Sequence, residues 1–170
     1  MKTTKPKPIR PPEVSRKLSV LTGLALAVVA MTSQAAARDI AVVVHKSASL
    51  RNVALADFVK MARTTRKWPD GRPLILVIKD PGAPDMRLVN QKLLGKRADE
   101  VRALIAANRD LFVVVSTDAE VINTVSQRSN AVGFIDIYSI TAAVNILKID
   151  GRPPLEPGYV LWEPSDHGDS

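Results

Sequence analysis

Along the chain, short unbroken apolar runs alternate with segments whose apolar residues recur at helical spacing, and this alternation predicts most of the elements. Ile40 to Val44 (I-A-V-V-V) is β-branched and uninterrupted, the pattern of a strand buried on both faces. Leu74 to Ile78 and Ala131 to Ile135 have the same character and are expected beside it in one sheet. An amphipathic helix is predicted from Leu55, with Phe58, Val59 and Ala62 on its apolar face, fading at Thr64-Thr65. A second helix is expected from Pro84 to Leu94, with proline in its first turn and Gly95 just past its end, and a third over Ala98 to Ala107. Leu111 to Val115 reads as a strand. Thr117 and Glu120 stand three apart ahead of Val121, Ile122 and Val125, a capping box that opens a fourth helix. Asn145 to Ile149 predicts a further strand closed by a turn at Asp150-Gly151, and Tyr159 to Trp162 a short last strand. Strands alternating with helices predict an α/β architecture with a mixed, mainly parallel sheet flanked by helices.

The first 37 residues follow a different pattern. A basic, proline-bearing stretch runs to Lys17, an apolar run covers Leu18 to Met31, and small polar residues lead to Ala35-Ala36-Ala37. That order predicts a secretory signal peptide over residues 1–37, a domain over 38–164 and a disordered polar tail over 165–170, with the mature protein in the periplasm. The apolar run is too short for a hydrocarbon core about 30 Å thick, which needs roughly 20 residues, so no stable span is expected after cleavage. An uncleaved anchor is the other reading of the same segment. The formal charge of +7 changes meaning once this segment is set apart: it holds six of the 24 Lys and Arg and one of the 17 Asp and Glu, leaving 18 against 16, a net of +2. No basic stripe with interleaved aromatics remains, which excludes a nucleic-acid partner. With no cysteine, the chain has no disulfide and no thiolate chemistry.

Candidate chemistry concentrates in Lys67 to Arg87, where a turn (Pro69-Asp70-Gly71), a strand, a bend with Pro81, Gly82 and Pro84, and a helix start follow one another. Such helix starts present unpaired N–H groups and the positive end of a dipole, which suits an anion. Elsewhere the chemistry is thin. The two histidines, His45 and His167, lie nearly a chain length apart and make no metal or acid–base site; Ser47, Ser49 and Ser116 have no nucleophile setting. Asp99 and Glu100 suit the first turn of a helix without further role, and Trp68 suits a partly buried turn. The reading is of a protein that is no enzyme and carries no cofactor and no metal.

These motifs, in order, resemble the phosphate-type periplasmic solute-binding proteins. The matching pieces are Ile40 to Val44, Leu55 to Lys60, Trp68-Pro69-Asp70-Gly71, Leu74 to Ile78, Lys79 to Arg87, Ala131-Val132-Gly133-Phe134, the Asp150-Gly151 turn and Gly158 to Leu161. The resemblance implies a single lobe of the periplasmic-binding-protein-like fold, about half the usual length, and an oxyanion held by Lys79 and Arg87 together with the backbone N–H groups of Gly82, Ala83 and Asp85. Two departures bear on it. Ala83-Pro84-Asp85 stands where the family has Ser-Gly-Thr, and Lys79 stands for the family's arginine, a point charge without the bidentate fork. Two functions follow as expectations: an exported solute-binding-like protein related to phosphate ABC transporter components, holding a phosphate-like oxyanion weakly and using a homodimer to restore a second wall; or a ligand-free periplasmic protein-protein interaction module built on the same fold.

Overall fold

The computed structural model describes residues 39–162; the expected signal segment and polar tail lie outside them. Five strands form the main sheet in the order β4-β3-β5-β1-β6: β1 is Ile40–His45, β3 Ile75–Ile78, β4 Phe112–Val114, β5 Ala131–Asp136 and β6 Val144–Ile146. The three apolar runs are the three central strands, as their lack of polar alternation requires of strands covered on both faces. β3 pairs in parallel with both β4 and β5, whereas β1 lies antiparallel between β5 and β6, so four of the five strands point the same way. A small parallel pair, β2 (Asn52–Val53) with β7 (Lys148–Ile149), sits apart from the main sheet.

Helices cover both faces. One face packs α1 (Leu55–Lys60), the helical residues 84–94 and α2 (Ala98–Ala107) into a core with Phe58, Met86, Leu93 and Phe134. The other is covered by α3 (Asp118–Gln127), whose Val121 and Val125 meet Val43, Val77 and Ile135. Gly133, in the middle of β5, explains how close α3 can lie. A Cβ there would come within 2.4 Å of Val121 Cγ1 and 2.9 Å of Val125 Cγ2.

Several expectations need correction in detail. The Pro84 to Leu94 helix is a 3₁₀ turn, Pro84–Met86, followed by a wider π-type segment, Val89–Leu94, closed by Gly95 with φ 64°. The strand expected over Asn145 to Ile149 is two, because the chain passes at Leu147 from the main sheet, where β6 pairs with β1, to the small one, where β7 pairs with β2. The strand expected at Tyr159 to Trp162 is a run of turns. It does a strand's work at two points only: the Tyr159 hydroxyl accepts the Val42 N–H at 3.3 Å and the Leu161 carbonyl accepts the Ile40 N–H at 3.5 Å. Those groups belong to the part of β1 that β6 does not reach, so two single contacts replace a ladder. Burial drives the Tyr159 hydroxyl pKa well above its ordinary value, which keeps it neutral.

Candidate functional site

β3 and β4 are parallel neighbours, so the segments leaving their C-terminal ends open at the same edge of the sheet. Residues 79–85 leave β3 and residues 115–118 leave β4, and between them lies a cleft of about 840 Å³ lined by Lys79, Ala83, Asp85, Ser116, Thr117 and Asp118 among others. Lys79 continues directly from β3 and is 8% exposed. Asp85 stands in the 3₁₀ turn, where Pro84 fixes the first position, and is equally buried. Asp118 is the first residue of α3, set there by the capping box: the Glu120 N–H donates to Thr117 Oγ1 at 3.2 Å and Glu120 Oε2 accepts from the Thr117 N–H at 3.2 Å.

Within this cleft Lys79 Nζ donates to both carboxylates, Asp85 Oδ2 and Asp118 Oδ1. Asp118 Oδ2 also accepts the Asp136 N–H at 3.1 Å, from the end of β5. Burial opposes the charge on Lys79, yet Asp118 and Asp85 outweigh it and hold the ammonium pKa above its usual value. Asp118 shows the converse: burial would raise its pKa, but Lys79, the Ser139 side chain and the Asp136 N–H together pull it below the ordinary carboxylate range. One ammonium against two carboxylates gives the cluster a formal charge of −1.

The surrounding donors are met in the same way. Asp80 Oδ1 accepts the Gly82 N–H at 2.7 Å and a bond from Arg102 Nη2 at 2.8 Å, which together hold its pKa low. Glu120 Oε2 accepts the Ser116 N–H at 2.6 Å as well as that of Thr117. Of the residues singled out from sequence, Lys79, Ala83 and Asp85 line this cleft, while Gly82 and Arg87 line a smaller one of about 300 Å³ with Asn90 and Lys96, which Ala83 also borders. Asp118 was absent from that set. Its position after an N-cap threonine suits helix-dipole stabilisation, and only the parallel adjacency of β3 and β4 shows that it meets Lys79. Among the described residues no group of His, Cys, Asp and Glu is arranged to hold a metal ion.

No family model matches the chain, and no curated protein matches it by sequence. Its fold does match solved structures. An ABC-type phosphate transport receptor from Vibrio cholerae superposes with a TM-score of 0.54 at 19% identity, over 70% of this chain and 49% of that one. PstS from Borrelia burgdorferi gives 0.56 at 16% identity, over 70% and 50%. A candidate phosphate ABC transporter substrate-binding protein from Clostridium perfringens, solved with bound phosphate, gives 0.53 at 20% identity, over 68% and 46%. The fold is that of the phosphate-type solute-binding proteins. At these identities the likeness is one of architecture, and the chain spans about half the length of the solved structures it matches, the share expected of one lobe.

Proposed function

We propose that this is an exported, non-enzymatic protein of the solute-binding fold whose strand-end cleft is a contact surface for another periplasmic protein and not a cradle for a free oxyanion. The observation that carries this reading is the pairing of Lys79 with both Asp85 and Asp118. A unit charge about 4 Å from another is worth about 4 kcal/mol at an effective dielectric of 20, so one carboxylate offsets the attraction Lys79 would offer an anion and the other turns it to repulsion. Calorimetric titration with phosphate and sulfate at pH 7 is expected to show no saturation through tens of millimolar, and micromolar binding overturns the reading. A photo-crosslinker at Val114, a half-exposed residue of the cleft lining, is expected to give a discrete protein adduct in exporting cells, whereas one at Leu155, exposed outside the cleft, is not. Equal products from both sites, or none from either, count against it. N-terminal sequencing of the exported protein is expected to begin at Arg38; a start at Met1 supports the anchor instead.

A weak oxyanion site is the second reading. What favours it is the basic residue kept at the end of β3, in a fold of which one solved example holds phosphate. On that reading Lys79, Gly82, Ala83, Asp85 and Arg87 supply the contacts, and a second copy supplies the missing wall. Phosphate binding that tightens with protein concentration is its signature.

A further inference from the structure

We propose that Asp85 and Asp118 are the specificity-determining residues of this cleft: they act as a built-in anion on Lys79, and replacing them uncovers an oxyanion site. This rests on the reading above, that the native cleft takes no free oxyanion. The surplus of carboxylate is the argument. One acid is enough to satisfy a buried ammonium, and Asp118 is the better placed, held from behind by the Asp136 N–H as well as by Lys79. Asp85 brings a second buried carboxylate to an ammonium that Asp118 already neutralises, and burying it costs desolvation. Stability alone does not call for it.

The same substitution of the chain's own carboxylate for an external one recurs around the rim. Asp80 occupies the Gly82 N–H, and Glu120 occupies the N–H groups of Ser116 and Thr117. Four carboxylates therefore take up the Lys79 ammonium and four backbone donors, those of Gly82, Ser116, Thr117 and Asp136, at the C-terminal ends of β3, β4 and β5. Asp80, with Arg102, and Glu120 sit in local loop and capping geometry, whereas Asp85 and Asp118 are the two that hold the buried Lys79. Removing those two leaves Lys79 without its carboxylates in a cleft that Ser116 and Thr117 also line, with the volume unchanged or larger.

The test compares the native protein with Asp85→Ser, with the double variant Asp85→Ser/Asp118→Asn, and with Asp99→Asn. The last changes net charge at an exposed position on α2, outside the cleft. Inorganic phosphate is titrated at pH 7 in low salt, read by calorimetry and by amide chemical shifts of Gly82 and Thr117, with a thermal melt of each variant to establish folding. The expected result is a saturable response in the double variant at least tenfold tighter than in the native protein, an intermediate one in Asp85→Ser, and no change in Asp99→Asn. A folded double variant that ignores phosphate overturns the proposal and leaves the contact-surface reading standing. An equal gain in Asp99→Asn overturns it too, by reducing the effect to net charge. Micromolar binding by the native protein overturns the reading beneath it. Should the double variant not fold, Asp85→Ser decides, and an unchanged response to phosphate there overturns the proposal.

Discussion

Lys79 is a cation at the floor of a cleft, and its two acidic partners make it a determinant of stability. In Lys79→Ala the carboxylates of Asp85 and Asp118 face one another with no charge between them. Removing one partner of a buried pair costs about 3–5 kcal/mol; the opening to water places this variant near the lower figure, to be read by urea denaturation. The pH dependence has two limbs. Lys79 has its pKa raised above the usual 10.5, so its contribution is full below that value and is lost as pH climbs through the folded pKa. Asp118 is lowered from 3.8, so its contribution is full above 3.8 and is lost as pH falls through the folded pKa. Stability is therefore expected to be level between about pH 5 and 10 as far as this pair is concerned, and Asp118→Asn should flatten the acid limb. An acid limb unchanged in that variant would contradict the assignment. Gly133 is the second residue whose identity is dictated. Gly133→Ala presses a methyl into Val121 and Val125 and is expected to cost about 1–3 kcal/mol in the same assay, as overpacking does. At this scale Lys79 was legible as a candidate from the family resemblance and Asp85 only as a backbone donor, so its carboxylate on Lys79 was not foreseen; Asp118 was not legible, because a first-turn aspartate has a sufficient local explanation.

Among elements, the apolar runs of β1, β3 and β5 were legible because a strand covered on both faces needs no alternation. What composition could not display is which element completes another. α1 has no capping side chain of its own; its Leu55 N–H donates to Asp150 Oδ1 at 2.9 Å, from a turn 95 residues later. Asp150 has φ 53° and Gly151 φ 78°, a pair of left-handed residues that brings the carboxylate round to α1. Asp150→Ala is expected to cost about 1 kcal/mol, the usual worth of an N-cap, and to speed amide exchange at Leu55 to Phe58 before it does so in β5. Uniform acceleration across the fold would show that the contact is not a local cap. The π-type segment over Val89–Leu94 escaped the sequence reading for a simpler reason: six residues are too few to distinguish a period of 3.6 from a wider one. The turns at Tyr159 to Leu161 escaped it because Tyr159 and Leu161 are buried like residues of a strand, while the segment meets β1 through one side-chain hydroxyl and one carbonyl.

The described residues form one main α/β sheet with the candidate cleft at the ends of its parallel strands, and no helix among them is long and apolar enough to cross a membrane. Its order along the chain differs from its order in space. β1 comes first among the described elements, yet its neighbours are β5 and β6, and its Val42 N–H bonds to Tyr159, 117 residues further on. A chain emerging from a ribosome or a translocation channel therefore delivers its central strand long before anything exists to pair with it. Non-local pairing of this kind slows folding, because loop closure precedes the contacts that stabilise it. A chain ended after Ala143 lacks β6 and the Tyr159 hydroxyl and is expected to show no cooperative urea transition, whereas the full chain shows one; a sharp transition in the shortened protein would mean that β1 and β5 suffice. The antiparallel strand thus acts as the clasp of the fold, the first described strand to be made and one that stays open on both sides until residues 131–161 have followed it.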